Sequence, residues 1–171
     1  MSQLPEFVKQ ANLIVDGFGK LGKMENAQLP KMVEKSEDWR GGGMLGDVEI
    51  ELGFEKMEFA FKVGGVDSQI VKLWGLKKNA IKPFQLLGNA VAEDTGEAKG
   101  VAAYIRGRLK EVEFDEWKAG GSLGMLSGTV AINYYRLIIN KEEMIEYDPV
   151  NIVLKIGGED QVADMRANLG F

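Results

Sequence analysis

One aspartate motif and two missing residue types define the catalytic chemistry open to this chain. Asp94-Thr95-Gly96 spells the triplet of the aspartic proteases, in which two aspartates share one proton. The triplet occurs once, and the flanking Glu93 and Glu97 are typical of a solvated turn. The sequence contains no cysteine and no histidine, which excludes thiolate metal sites, cysteine nucleophiles and imidazole general bases. We predict that the protein is not an enzyme, with an aspartic hydrolase that uses Asp94 as an alternative.

A glycine motif near the N-terminus has the spelling of a dinucleotide-binding turn. Residues 17–22 read Gly-Phe-Gly-Lys-Leu-Gly and follow an apparent strand. Such a turn opens a helix whose amides receive the pyrophosphate. Here Pro30 arrives eight residues later, and the chain between carries no sustained apolar helical face. The spacing favours a hairpin instead, with Asp16-Gly17 as its two-residue turn and 18–24 as the return strand. We therefore expect no nucleotide cofactor.

Other polar and aromatic groups are too unspecific to define a site. Several carboxylates lie close together around Glu113, but the chain has 26 acidic residues, so such neighbours discriminate nothing. We expect no metal ion. Trp117 is a residue type that sugar-binding shelves use, although packing in a core or an interface is its commoner role. A ligand-binding β-sandwich with Trp117 at its site is a further alternative.

Glycine and hydrophobic spacing indicate a mainly β protein. The chain has 22 glycines and only 4 prolines, and the glycines separate short runs rich in Val, Ile, Phe and Tyr. From 48 to 63 apolar residues alternate with Glu and Lys, which predicts strands whose apolar face, from Val48 to Val63, packs in the core. We predict further strands over 83–92, 99–114, 129–140, 143–147 and 150–156. The strand over 129–140 is apolar on both faces, so we expect it to lie centrally.

Two segments have helical spacing. Asp67 can cap a short helix in which Ile70, Leu73 and Trp74 lie at i, i+3 and i+4, and Gly75 offers an end. The second segment, 159–168, places Val162, Met165 and Leu169 on one side before Gly170. The sequence thus predicts one or two short helices beside the strands.

Residues 36–47 match no predicted element. Gly41, Gly42 and Gly43 give this segment backbone freedom, while Trp39 and Met44 give it apolar side chains to bury. We predict a loop that binds a partner and orders on assembly. The alternative is that Trp39 packs on the core of its own subunit.

Length and charge describe an ordinary globular chain. Its 171 residues suit a single domain over 1–171. The net charge of −5 and the lack of a basic cluster argue against binding to the phosphates of nucleic acid. The first residues lack the basic and apolar regions of a secretory signal, so we expect synthesis in a cytoplasm. The longest uncharged stretch, 119–135, is too short and polar for a membrane anchor.

Whole stretches of the sequence resemble a known family. The chain is similar to the major tail tube proteins of contractile-tailed phages and R-type pyocins over nearly its entire length. The similarity is specific because its fragments occur in the same order. They are Leu29-Pro30-Lys31, Glu37 to Met44, Arg106 to Val112, Tyr134 to Leu137, Glu146 to Asn151 and Gly157 to Phe171.

The resemblance implies both an architecture and a function. It implies a mainly β, β-sandwich or barrel-like subunit, similar to the ring protein of type VI secretion, flanked by a helix. Six copies would form a ring, and stacked rings would form a hollow tube inside a contractile sheath in a virion tail or bacteriocin particle. The implied partners are the sheath, baseplate, tail terminator and tape-measure proteins, with DNA in the lumen. The alternative within this class is the tube of another contractile injection system.

The resemblance also assigns tasks to surfaces. If six subunits each lend four strands to the lumen wall, about 24 strands spaced by ~4.8 Å give a backbone diameter of roughly 37 Å. An acidic lining would keep DNA from adsorbing, and the candidates for it are Glu49, Glu51 and Glu58. Contacts between subunits are expected in the loop and in the N-terminal hairpin. These candidates are Trp39, Arg40, Gly41, Gly42, Gly43, Met44, Asp16 and Gly17.

Overall fold

A computed structural model describes residues 4–75 and 78–171 of the chain. Residues 1–3, which are part of the segment judged to lack a secretory signal, lie outside this description. The strands are β1 Glu6–Val15, β2 Phe18–Gly19, β3 Met24–Gln28, β4 Glu34–Trp39, β5 Val48–Phe54, β6 Glu58–Gly64, β7 Ile81–Ala92, β8 Ala98–Phe114, β9 Met125–Ile139, β10 Glu142–Asp148, β11 Val153–Ile156 and β12 Glu159–Asp160. The helices are α1 Ser68–Val71 and α2 Ala163–Leu169.

The long strands β8 and β9 are shared by two halves of one antiparallel sheet. In one half of the sheet the strand order is β12-β11-β10-β9-β8-β7-β1-β2. In the other half β9 pairs with β6, which in turn pairs with β3. Because β6 and β10 use different parts of the same edge of β9, the sheet folds over on itself and encloses the core. This mainly β, barrel-like architecture confirms the predicted fold class.

Gly107 lies where the two halves of the sheet meet along β8 and β9. The pairing of β8 with β9 shifts register between Arg106 and Gly107. A Cβ atom at Gly107 would overlap the carbonyl oxygen of Ala131 and lie 2.7 Å from Cγ1 of Val130. The two strands therefore approach so closely that only glycine fits at this position.

Three phenylalanines form the centre of the core. Phe59 and Phe61 of β6 lie 5.8 Å apart between ring centroids, and Phe84 of β7 lies 6.4 and 6.1 Å from them. The predicted inner face of β8 is confirmed, since Ile105 and Leu109 are fully buried. The remaining buried apolar side chains around them are Leu13, Val15, Met57, Val63, Ile70, Ala103, Leu126, Val130 and Tyr135.

The prediction that one apolar face runs continuously from Val48 to Val63 is wrong. β5 pairs only with β4, in a separate two-stranded sheet. Val48, Ile50 and Leu52 are accordingly exposed, with 44%, 45% and 52% of their surface accessible. Gly53, at φ 108°, and the residues 55–57 interrupt the alternation, so β5 and β6 enter different sheets.

Both helices exist but are shorter than predicted. The carboxylate of Asp67 accepts hydrogen bonds from the amides of Gln69 and Ile70, which confirms it as the N-cap of α1. The helix ends at Val71, before Gly75. The predicted start of the second helix at 159 is wrong, because residues 159–160 form β12 against β11. Its end is confirmed by Gly170, which has a left-handed conformation with φ 79°.

Strand boundaries differ from the predictions where side chains build turns. β11 begins at Val153 rather than at 150, because Asp148 holds the preceding turn by accepting hydrogen bonds from the amides of Val150 and Asn151. β9 is central, as predicted, but begins at Met125 because its first half pairs with β6.

Candidate functional site

The glycine motif at 17–22 forms the predicted hairpin turn. Asp16 and Gly17 both have positive φ angles, 49° and 84°, and Val15 pairs directly with Phe18. These are the angles of the two-residue turn that suits a hairpin. The return strand ends at Gly19 instead of 24, because the amides of Lys23 and Met24 turn back to the carbonyl of Lys20. The segment is therefore not a strand-to-helix phosphate turn.

Lys20, inside the glycine motif, forms a buried ion pair that the sequence did not reveal. Its ammonium lies 2.8 Å from Oδ2 of Asp67 and donates a 2.7 Å hydrogen bond to Oε1 of Gln69. The two charged side chains are 2% and 7% exposed. Burial is the largest single influence on Asp67 and opposes its ionisation. The hydrogen bonds from Lys20 and from the amides of Ile70 and Gln69, together with the charge of Lys20, outweigh it, so the pKa of this carboxyl lies below its usual value. The ion pair connects α1 to the segment that directly follows β1 and β2.

The aspartate triplet is a surface turn between β7 and β8. The amide of Gly96 donates to the carbonyl of Ala92 at 3.0 Å, and the carboxylate of Asp94 accepts from the amide of Leu4 at 3.3 Å. The turn is exposed, so it lacks the apolar surroundings that tune a protease dyad. Within residues 4–75 and 78–171, no acidic cluster is arranged to hold a metal ion.

Trp117 lies on the surface beside an open cleft. It is 74% exposed and meets the ring of Phe114 edge-on at 6.1 Å. The cleft has a volume of about 280 Å³ and includes Val66, Lys118 and Met125 in its lining. It presents few polar groups that converge on one point, so the geometry gives no specific support to a sugar site.

The segment 34–54 is a projecting β-hairpin, which we call the hairpin. β4 and β5 pair from Glu34 with Phe54 to Trp39 with Val48, so 36–39 are strand and not loop, contrary to the prediction. Trp39 is 61% exposed, so it does not pack on its own core. Directly paired residues share a face. One face therefore carries Trp39 and Val48, and the opposite face carries Asp38 and Glu49.

The tip of the hairpin is compact. The amide of Gly41 donates to Sδ of Met44 at 2.9 Å, and the amide of Met44 donates back to the carbonyl of Gly41 at 3.2 Å. Gly43 has a φ angle of 86°, which favours glycine. Arg40 and Asp47 face each other across the tip at 3.9 Å. The predicted contact residues Trp39 to Met44 thus lie together at the far end of the hairpin. Asp16 and Gly17 instead form a turn of the ten-stranded sheet, which we call the main sheet.

The three predicted channel glutamates occupy two different places. Glu49 accepts a short hydrogen bond from the hydroxyl of Ser36, and Glu51 accepts from the amide of Gly53 at 2.5 Å, both on the hairpin. Glu58 lies on β6 in the main sheet. It accepts from Lys110 and pairs with Lys56 at 3.5 Å. The hydrogen bond from Lys110 is the main reason that the pKa of Glu58 is lowered.

An aromatic contact attaches the hairpin to the main sheet. The rings of Phe54 on β5 and Tyr147 on β10 meet edge-on at 5.9 Å. They line a cleft of about 550 Å³ that also includes Pro149, Val162 and Met165. Burial raises the pKa of Tyr147. The base of the hairpin is therefore packed, while the rest of it projects.

Charges on the outer face of β9, β10 and β11 are mutually compensated. Glu146 accepts hydrogen bonds from Lys155 at 2.9 Å and from the hydroxyl of Tyr134 at 3.0 Å. The bond from Lys155 is the first cause of the lowered pKa of Glu146. Arg136 pairs with Glu143 at 2.6 Å. This network connects β9, β10 and β11, and the charges of its acidic and basic side chains cancel.

The part of the chain that the structure describes contains no helix long and apolar enough to cross a membrane.

Comparison with known proteins identifies the family. Residues 5–170 match the family described as phage tail tube protein FII. The chain belongs to this family. It is 31% identical to the tail tube protein of Escherichia phage P2 over 98% of this chain and 99% of the relative. It is 29% identical to the major tail tube protein of Serratia phage KSP20 over 94% and 93% of the two chains.

Solved structures share the fold. The tube-terminating cap of the anti-feeding prophage superposes with a TM-score of 0.59 at 11% identity, over 81% of this chain and 93% of the other. A chain from the sheath–tube complex of the PVC extracellular contractile injection system superposes with a TM-score of 0.58 at 9% identity, over 80% and 92%. As a family member, this chain is a structural tube subunit of a contractile tail or tail-like particle.

Proposed function

We propose that six copies of this chain form a ring, and that stacked rings form a hollow conduit driven through a cell envelope when a sheath contracts. Membership of the tail tube family supports the tube. The observation that carries the assembly is the hairpin, whose apolar face would be left in water by an isolated subunit. Exposed apolar surface of this kind marks an interaction site. The subunit performs no catalysis, and its partners are further copies of itself.

The other components of the particle are part of the same proposal. A sheath surrounds the tube, a baseplate and a terminator close its ends, and a tape-measure protein and DNA occupy the lumen without sequence-specific binding. The shared fold with chains from a sheath–tube complex and a tube-terminating cap supports this arrangement. Co-purification of intact particles, followed by mass spectrometry, identifies which of these components are present.

We propose that the hairpin tip is the main contact between subunits. A Trp39→Ala variant should remain a folded monomer and fail to polymerise, because Trp39 packs on nothing in its own core. Trp117→Ala is the matched control, since Trp117 is also exposed but lies in the loop after β8, outside the hairpin. Electron microscopy of both variants at equal concentration reads out tubes. Normal tubes from the Trp39 variant would remove the hairpin tip from the contact.

The lining of the channel by Glu49, Glu51 and Glu58 stays a proposal. Its support is the excess of carboxylates on the hairpin, since Glu58 is already neutralised by two lysines. Charge reversal at Glu51 should slow passage of DNA through the tube, whereas reversal at Glu58 should have a smaller effect. If DNA passes through tubes of both variants at the wild-type rate, the channel does not have an acidic lining.

A further inference from the structure

The net charge of the chain is concentrated in the hairpin. Residues 34–54 contain six acidic and two basic residues, so this segment carries −4 of the total charge of −5. The remaining 150 residues carry the other −1, from 20 acidic and 19 basic residues. A projecting element therefore bears nearly all of the excess negative charge, while the rest of the subunit is almost neutral.

Among the residues that the structure describes, the acidic face of the hairpin has no cationic partner. Asp38 lies directly opposite Glu49, and Ser36 lies opposite Glu51, so carboxylates adjoin on one face. Like charges directly opposite each other destabilise a strand pair. Among the described residues, no Lys or Arg forms an ion pair with Asp38, Glu49 or Glu51. A two-stranded sheet is marginal alone, so this face gains from a cationic surface.

The same chain presents an exposed cationic face on β8, which we call the basic stripe. Arg106, Arg108 and Lys110 alternate along the strand and all three are exposed on the face opposite the core. Lys110 is engaged by Glu58, and Arg106 lies over the ring of Tyr134 at 4.3 Å. In the part of the chain that is described, Arg108 forms no ion pair with an acidic side chain.

Apolar side chains flank the basic stripe. Ile81 pairs with Arg108 across the strands and is 50% exposed. Trp74 is 55% exposed and is held in place by its indole, which donates to the carbonyl of Lys110 at 3.0 Å. A surface with exposed aromatic and arginine side chains is the type that contributes most to binding at protein interfaces.

We propose that the acidic face of the hairpin docks on the basic stripe of a second copy of this chain. This inference rests on the proposed tube and names the surface that receives the hairpin. Charge complementarity carries it: Asp38 and Glu49 supply carboxylates that form no ion pair within the described residues, and Arg108 supplies a guanidinium of the same kind, whose planar fork suits a carboxylate. The contact is heterologous, so it propagates from copy to copy and extends an assembly.

Channel lining is the competing role for Glu49. A carboxylate that docks on a neighbouring arginine is shielded from the lumen, so the two roles make opposite predictions for cross-linking and for assembly. The cross-strand repulsion between Asp38 and Glu49 favours docking, because water in a channel would leave that repulsion in place.

Cysteine cross-linking tests the contact directly, because the sequence contains no cysteine. Asp38→Cys protein is mixed with Arg108→Cys protein, assembled and treated with a bismaleimide reagent that joins two thiols about 10 Å apart, because the Cα atoms of an Asp–Arg ion pair lie too far apart for a direct disulfide. The cross-linked peptides are identified by mass spectrometry. Lys141→Cys replaces Arg108→Cys in the control. Lys141 is exposed, in the turn after β9, and lies about seven residues away along β8, or roughly 23 Å. We expect the 38–108 cross-link in at least tenfold excess over the 38–141 cross-link.

Charge reversal gives a second, independent measurement. Arg108→Glu and Asp38→Arg should each raise the concentration needed for assembly about tenfold, and the variant that carries both changes should return to within about threefold of the wild type. Lys141→Glu is the control and should leave assembly unchanged. Circular dichroism confirms that each variant is folded.

The outcomes separate this inference from the function on which it rests. If wild-type protein forms no tubes with its natural tail components, the proposed function fails. If tubes form but the 38–108 cross-link does not exceed the control, or the double reversal does not rescue assembly, the basic stripe is not the acceptor. Normal assembly of both single reversals, with altered passage of DNA, would place Asp38 and Glu49 at the channel instead.

Discussion

Gly107 offers a sharp test of how the two halves of the sheet are joined. Replacing it by alanine places a Cβ atom on the carbonyl oxygen of Ala131 and 2.7 Å from Cγ1 of Val130. The carbonyl belongs to the backbone of the central strand β9, so it can move only by disturbing the pairing of β8 with β9. Overpacking a core costs about 1–3 kcal/mol, and a lost backbone hydrogen bond costs about 1 kcal/mol more. We expect Gly107→Ala to lower the free energy of unfolding by about 3 kcal/mol.

Gly100→Ala is the matched control on the same strand. A Cβ atom at Gly100 would have no atom within 4 Å, and its φ angle is not in the left-handed region. Alanine there should be neutral or stabilising by about 0.5 kcal/mol, because it loses less backbone entropy than glycine. Urea unfolding of dilute, unassembled protein, followed by tryptophan fluorescence, measures both changes. If the two variants have the same free energy of unfolding within about 0.5 kcal/mol, the close approach at Gly107 does not shape the fold.

Three further predictions concern the buried ion pair and the base of the hairpin. Lys20→Met should lower the free energy of unfolding by about 3 kcal/mol or more, because it leaves Asp67 buried without its cation; denaturant titration of a folded variant with unchanged stability would contradict this. The pKa of Asp67 is lower in the folded protein than its usual value, so its contribution is present above pH ~3.9 and is lost as the pH falls through the folded value. Stability measured from pH 5 to 2 should therefore fall less steeply in Asp67→Asn than in the wild type, and equal slopes would refute the assignment. Phe54→Ala removes the edge-on contact with Tyr147. It should lower the free energy of unfolding of the monomer by about 1 kcal/mol and should reduce assembly more strongly than it reduces stability. If the variant assembles as well as the wild type and its subunit is equally stable, this contact does not orient the hairpin.

The sequence was sufficient for the elements whose pattern is local. The alternation in β8 placed Ile105 and Leu109 inside, and the structure confirms it. Asp67 and Gly170 mark helix ends because a side-chain acceptor and a left-handed glycine act within one turn of the chain. The Asp16-Gly17 turn was predictable for the same reason.

Features that depend on distant partners were not predictable from the pattern. The alternation in β5 looks identical to that of a core strand, but β5 pairs only with β4, so its apolar face is exposed. Lys20 gives no local signal that it is buried, because its partner Asp67 is 47 positions away in the printed sequence. Glu49 and Glu58 belong to the same alternating sequence pattern but lie on different surfaces. Gly53 and residues 55–57 interrupt the alternation, so β5 and β6 enter separate sheets.

The candidate contact residues were found from composition rather than from spacing. Three consecutive glycines beside Trp39 indicated a projecting, partner-binding segment, and the structure does place Trp39 on an exposed hairpin tip. The proposed surface that receives the acidic face of the hairpin was not predictable, because the charges of β8 could be compared with those of the hairpin only once both faces were known.

Electron cryomicroscopy of the assembled protein tests the central claim most directly. Concentrated wild-type chain, prepared with its natural tail components, should yield hollow cylinders built of six-membered rings, with an inner backbone diameter of roughly 37 Å. The hairpin of each subunit should be ordered against a neighbouring copy. Protein that stays monomeric under these conditions, or that forms solid filaments without a lumen, would contradict the account.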